Sequence, residues 1–571
     1  MIQHVIPVPP LCGGREILDT KASRPLGDAF PKEPLGSAFV AYQDDITKGF
    51  FRSLKLISIA GNMIYCLSDL LLQHRNDRAS HIALIDGQHR LSYAELIRQT
   101  ERCGVQLQAA GVQRGDHVAI YLQRSVESVV ALFAVWSLGA VVVIINDVLK
   151  NRQVNYIIDH SEASFLITDN RLRTSLTECP LSPDRILIVD SGELAGEKFT
   201  PSRVIGADLA LIIYTSGSTG MPKGIMLSHN NLISGARIVT DYLHLTRDEI
   251  IVSLLPFSFD YGLNQLLTAL LIGGTLVIQR SLLPADICNT LNRERITGMG
   301  AVPMVWQQLA GDRSPFTKTQ FPHLRYITNT GGHMPESITK LFRQTHPHVQ
   351  IYLMFGLTEA FRSTFLPPDQ VDVRPGSIGK AIPNVELLVL NERGELCKPG
   401  EEGELVHRGA NIAIGYWRDP ENTAQRFRPA PFQQGKGGQT EIAVYSGDYV
   451  KTDEEGFIYF IGRKDQMIKS HGMRVSPEEI EDCIFASRMV LHAVAFAVPF
   501  DEVRSTIVIA LVPSDHKSFS QKELSLYCKA NMPEYLRPDV VWQLESFPLT
   551  SSGKPDRVRL KEMYTEQNQK F

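Results

Sequence analysis

The run "SVVALFAVWSLGAVVVIIN", Ser128 to Asn146, constrains the fold of this 571-residue chain more than any other stretch. It carries no charge, and by length alone it could cross a membrane as one helix. Gly139 divides it. Before the glycine the apolar residues suit a helix. After it "AVVVII" is β-branched, the composition of a strand buried on both faces. The run therefore predicts a helix handing over to a strand inside an α/β core, not a membrane span.

The surrounding chain agrees. "LSYAELIRQTERCGVQLQAAG" reads as a helix closed by Gly111, and "HVAIYL" as a strand. Such alternation continues to about residue 390 and predicts mostly parallel sheets covered by helices. From "VELLVLNERGELCKPGEEGELVHRG" strands follow one another with Gly-rich turns, as in a β-rich subdomain. After "GRKDQMIKSHGMRV" come a helix from Pro477, the strands "AVAFAVPF" and "TIVIALVP", a second helix and the loop "PLTSSGKPDR". That order predicts a small C-terminal α+β domain. The expected division is an N-terminal extension, 1–64, without an interpretable motif; a large domain, 65–464; and a small domain, 465–571, hinged near Asp465.

Composition excludes several classes. A net charge of −4 gives no basic field for nucleic acid. The eight cysteines form no C-x-x-C pair and read as reduced thiols of a cytoplasmic protein, not as a disulfide frame or zinc site. The start, "MIQHVIPVPPLCGGREIL", lacks the basic-then-apolar order of a secretory leader.

The strongest chemical signal is "LIIYTSGSTGMPKGIMLSH", Leu211 to His229. A strand runs into a loop holding Thr215, Ser216, Gly217, Ser218, Thr219 and Gly220, with Lys223 just beyond. Small residues let backbone N–H groups approach an anion, hydroxyls add donors, and the lysine adds charge, which suits a polyphosphate. It is not a Walker A loop, because Pro222 stands where that spacing needs its second glycine.

"YTSGSTGMPKG" resembles the phosphate loop of the adenylate-forming superfamily, which includes acyl-CoA synthetases, peptide-synthetase adenylation domains and luciferases. "NTGGHMP", "YLMFGLTEA", "GELVHRGANIAIGYW", "YSGDYVKTDEEGFIYFIGRKDQMIKSHGMRVSPEEIE" and "PLTSSGKPDR" follow in that superfamily's order, so the resemblance spans about 65 to 565. It implies ATP and Mg²⁺ as cofactors. It places Glu359 on the metal, Thr358 on the α-phosphate, and Phe355, where the family usually has Tyr, against adenine beside Gly332 and Gly356. It gives Asp448 the ribose hydroxyls and Arg463 the ribose or phosphates. Asp465 becomes a hinge, and Lys554 reaches the reacting carboxylate and α-phosphate. Gly472, Lys469 and Arg474 match a loop of the thiol tunnel. No Ser–His or Cys–His nucleophile is required.

The substrate turns on "PFSFDYGLNQ", where Asp260 stands in an apolar run. The resemblance to amino-acid-activating domains has it pairing with a substrate α-ammonium, since an unpaired buried ammonium is costly. It equally fits an N-cap for the following helix. Tyr261, Asn264, Ala301, Asn329, Gly331, Met354 and Arg362 are expected to line the acyl pocket. Arg362 suits a second carboxylate, Asp260 or a backbone carbonyl. The expectation is a small amino acid such as proline, loaded onto the phosphopantetheine thiol of a separate carrier protein. The alternatives are an acyl-CoA synthetase for a short or aryl acid and a catalytically silent ATP-binding scaffold.

Overall fold

The charge-free run folds as a helix followed by a strand. Val126–Ser137 is helical, and the hydroxyl of its N-cap Ser125 accepts from the Ser128 N–H. Gly139 takes a left-handed φ of +67°, which turns the chain into the fully buried strand Val141–Ile145. The structure is a computed structural model. It describes residues 64–568 except 189–198, 216–221, 432–440, 464–467, 471–472, 500–504, 516–518 and 551–552.

Val141–Ile145 lies in the middle of a seven-stranded sheet, parallel to both His117–Tyr121 and Leu209–Thr215. Lys223–Ser228 returns antiparallel beside Leu209–Thr215, and Gly415–Tyr416 closes that edge. A second, fourteen-stranded sheet carries a parallel series: Ile82–Asp86, Thr275–Ile278, Ile250–Ser253, Gly298–Ala301, Tyr326–Asn329 and Gln350–Phe355. Beyond Gln350–Phe355 the pairing turns antiparallel through Thr364–Leu366, Ser377–Ala381, Ile458–Arg463, Ile442–Thr452 and Gly403–Gly409 to Val385–Leu390. The expected β-rich segment therefore continues this sheet by hydrogen bonds and so covers an edge that would otherwise be open.

The helices Val126–Ser137 and Asp260–Ile272 share one core with strands of both sheets, such as Val142, Leu211, Ile251 and Leu276. Asp260–Ile272 is buried over Asp260 to Leu270, and that span takes the polar Asp260, Asn264, Gln265 and Thr268 inside with its apolar residues.

The C-terminal part forms its own sheet. Val490–Pro499 pairs antiparallel with Ser505–Pro513, which pairs parallel with Val540–Gln543. Helices Pro477–Ala486 and Gln521–Asn531 pack on it through Ile480, Ile484 and Leu524. The expected hinge, Asp465, and the tunnel residue Gly472 lie outside the described residues. Among those described, no helix is long and apolar enough to cross a membrane.

Candidate active site

Thr215 ends its strand and Lys223 begins the antiparallel return, with the two in register. Ser216, Gly217, Ser218, Thr219 and Gly220 lie outside the described residues. The Lys223 ammonium stands 5.6 Å from the centre of the Tyr416 ring, and the Tyr416 hydroxyl donates to Glu359 Oε1 at 2.6 Å. Burial, reinforced by Glu359, pushes the phenol's pKa far up, so it stays a donor. Tyr416 thus links the lysine after the phosphate loop to the expected metal acid. Sequence reasoning missed it: "IGYW" offers no spacing that singles out one aromatic.

The main-chain carbonyl of Glu359 accepts from the Ala413 N–H at 2.8 Å, which pins the turn carrying Thr358. Gly356 precedes that turn, and a Cβ there would lie 3.1 Å from the Arg362 Cα. Phe355 is half-buried. Its ring packs 6.4 Å from His407 and 5.9 Å from Phe460, centre to centre. The Gly332 carbonyl accepts from Asn329 Nδ2 at 3.0 Å.

Asp448 and Arg463 face each other across paired strands, with Oδ1 and Nε 3.8 Å apart. Asp448 is 4% exposed, and that burial pushes its pKa up to about 6 against the pull of Arg463 and Arg426.

Asp260 corrects one expectation. Phe259 takes the extended N-cap position, with no side-chain cap bond, and Asp260 is the first helical residue. A capping side chain must sit just before the helix, so Asp260 is not the N-cap. Its Oδ1 accepts from the Tyr261 N–H at 2.8 Å, and its Oδ2 lies 3.5 Å from Arg362 Nη1. Arg362 therefore does two of the three things expected of it, since Nη1 also donates to the Phe361 carbonyl at 3.0 Å. Burial raises the Asp260 pKa, opposed by Arg362 and Lys554.

The other pocket candidates surround this pair. The Tyr261 hydroxyl donates to the Thr328 carbonyl at 3.0 Å, and the ring centre is 4.8 Å from the Arg362 guanidinium carbon. Asn264 Oδ1 accepts from Thr268 at 3.4 Å, one turn further along the helix. Met354 Sδ accepts from the Tyr242 hydroxyl at 2.9 Å. Ala301 and Asn329 are register partners on adjacent strands.

Lys554 enters from the C-terminal loop. Gly331, at φ +84°, leaves room for it: a Cβ there would meet Lys554 Cε at 3.1 Å. Its ammonium stands 5.7 Å from the Phe259 ring centre. Burial lowers its pKa, and Asp260 and Asp448 draw it back up. The structure thus gathers Asp260, Arg362, Asp448, Arg463 and Lys554 into one charged cluster. Glu359 belongs to its field, since it adds to the rise in both the Asp260 and Asp448 pKa values.

Residues 72–417 match the family model described as AMP-binding enzyme, and 479–554 match that of the AMP-binding enzyme C-terminal domain. The chain belongs to the AMP-binding enzyme family. That membership agrees with the superfamily that the motifs resemble. A linear gramicidin synthase polypeptide of Brevibacillus parabrevis is 32% identical over 510 residues, covering 88% of this chain and 6% of the synthase. The chain thus spans a small fraction of that curated relative. Two solved structures share the fold at high coverage. An o-succinylbenzoate CoA synthetase from Bacillus subtilis, in complex with ATP and magnesium ion, has a TM-score of 0.74 and 26% identity, covering 86% of this chain and 99% of its own. ATP-bound MatB from Rhodopseudomonas palustris has a TM-score of 0.77 and 25% identity, covering 88% and 99%.

Among the described residues no group of three or more His, Cys, Asp or Glu could hold a metal ion. Glu359, the acid that the resemblance puts on a metal, has its Oε1 held by the Tyr416 hydroxyl.

Proposed function

We propose that this chain activates a small amino acid as its adenylate and passes the acyl group to the phosphopantetheine thiol of a separate carrier protein. The observation that carries the reading is Lys554 seated at Gly331 with Asp260 and Asp448 in its field. A cation from the C-terminal part stands between an acid suited to an ammonium and an acid suited to a ribose. The relationship to a gramicidin synthase supports an amino substrate.

In the first step a substrate carboxylate oxygen attacks the α-phosphorus of ATP, and the bond to the bridging oxygen of pyrophosphate breaks. Lys554 neutralises charge at the reacting oxygens. Lys223 and the loop from Thr215 to Gly220 hold the outer phosphates, and Thr358 donates to the α-phosphate. Glu359 would hold Mg²⁺, which screens the phosphate charge when bound. Phe355, with Gly332 and Gly356, offers the adenine a flat apolar seat. Asp448 and Arg463 take the ribose. In the second step the thiol sulfur attacks the acyl carbon and AMP leaves with the electron pair.

A second reading keeps the same first step but ends on coenzyme A with a short or aryl acid. The pairing of Asp260 with Arg362 favours it, because a neutralised aspartate draws an ammonium less strongly. ATP–pyrophosphate exchange over amino acids and plain acids, repeated with Asp260→Ala, separates the two. Loss confined to amino acids supports the first reading. Exchange with plain acids alone sinks it, and no exchange with any carboxylate sinks both.

A further inference from the structure

Arg362 is 1% exposed, and its donors are poorly used. Nη1 makes the long contact to Asp260 and the bond to the Phe361 carbonyl. Nε and Nη2 have no hydrogen-bond partner among the described residues. A buried guanidinium with idle N–H groups is costly unless something accepts from them. A nearby group repeats the pattern. Asn264 Nδ2 is a donor without a partner among the described residues, one turn along the helix from Asp260 and on the same face. Beside the neutral pair of Asp260 and Arg362 the donors Arg362 Nε, Arg362 Nη2 and Asn264 Nδ2 therefore stand idle among the described residues, and the acceptors Asn329 Oδ1 and Gln265 Oε1 stand idle with them.

Four classes of substrate can be set against that arrangement. A neutral amino acid such as proline offers its ammonium to Asp260, brings a second cation near Arg362 and leaves Nε and Nη2 idle. A plain diacid offers acceptors to Arg362 but sets a carboxylate against Asp260 with no ammonium to answer it. An uncharged monoacid leaves every idle donor as it was. An amino acid with an acidic side chain answers each group, ammonium to Asp260 and the second carboxylate to Arg362, and its two substituents are neutral together as the pair is. We infer that the pocket selects an amino acid bearing a second carboxylate, with Arg362 as the residue that reads it. This rests on the amino-acid reading proposed above and narrows it away from proline. The carboxylate that is activated stays with Lys554.

The test is ATP–pyrophosphate exchange on the full chain with aspartate, glutamate, proline, alanine, succinate and benzoate, repeated with Arg362→Gln and Arg362→Lys. The expected kcat/KM for an acidic amino acid exceeds that for proline and alanine by at least about 100-fold, because the neutral analogues leave buried donors unpaired. Arg362→Gln should remove most of that preference, with kcat/KM falling at least about tenfold further for the acidic amino acid than for alanine. Arg362→Lys should keep part of it, with the loss in KM. Preference for a neutral amino acid, or equal loss on all substrates in Arg362→Gln, overturns the inference and leaves the amino-acid reading standing. Exchange with succinate or benzoate alone overturns both. Should Arg362→Gln not fold, Arg362→Lys and the wild-type ranking decide.

Discussion

Asp448 is a carboxylate placed where its charge is discouraged and, on our proposal, needed. Its pKa of about 6 has a sign that can be worked out. Because the folded value lies above the unfolded one of 3.8, the folded state holds a proton that the unfolded state has released between about pH 4 and 6. Asp448 therefore contributes stability that is present below about pH 4 and lost as pH rises through about 6, a swing of roughly 3 kcal/mol. Thermal melts should show that slope in the wild type, and Asp448→Asn should flatten it. Nucleotide binding should run the other way. A ribose acceptor works best as the anion, so the KM for ATP should rise as pH falls below about 6, by up to about tenfold per unit. Asp448→Asn should bind ATP weakly with no such step. Lys554→Ala should lower exchange by about 100- to 1,000-fold while leaving the melting temperature nearly unchanged, the mark of a charge supplied to the transition state. A residue-by-residue reading of the sequence reaches these two positions only through the family pattern, because an isolated acid or lysine in a polar loop is more often a solvated charge. It reached the Asp260–Arg362 pair only as one of three options for Arg362, because the two lie 102 residues apart and meet only through the tertiary fold.

At the scale of elements, much was legible because local chemistry and burial agreed. The Gly139 break, the helix before it and the strand after it follow from β-branching and a left-handed glycine. The helix beginning at Asp260 was legible in existence and misread at its first residue, since Phe259 is the cap and nothing in "SFDY" separates the two positions. What the sequence did not show is why this helix sits so close to its own approach loop. Gly262 explains it. A Cβ there would stand 2.2 Å from the Pro256 carbonyl oxygen and 2.7 Å from that of Leu255, both rigid backbone. Gly262→Ala must push the helix off the loop and carry Asp260 with it. The expected cost is about 1–3 kcal/mol of stability, the range for overpacking a filled site. Calorimetry should show that loss, and exchange should show a raised substrate KM with the KM for ATP kept. Equal damage to both would mean that the helix does not locate the acyl pocket alone.

At the scale of the molecule, the C-terminal part delivers Lys554, and two polar contacts among the described residues help to seat it. His492 Nδ1 pairs with Gln307 Oε1 at 2.8 Å, and His333 Nε2 lies 3.6 Å from Asp482 Oδ2. Both holds use the stretch between Gln307 and His333, which also carries Gly331, so the rim of the pocket is the seat of the arm that enters it. Neither hold is strong. A net hydrogen bond contributes about 0.5–1.5 kcal/mol, and a partly exposed ion pair about 0–1 kcal/mol. Weak seating suits a part that the resemblance expects to turn on a hinge near Asp465. Gln307→Ala combined with His333→Ala should therefore lower exchange by about 2- to 70-fold, the rate equivalent of the two contacts together. ATP affinity by titration calorimetry should stay within about twofold, since Lys223 and Asp448 are untouched. The same pair placed in a Lys554→Ala background should add little, because seating an arm without its lysine gains nothing. Full additivity of the two effects would show that these contacts act on exchange by some route other than bringing Lys554 to Gly331.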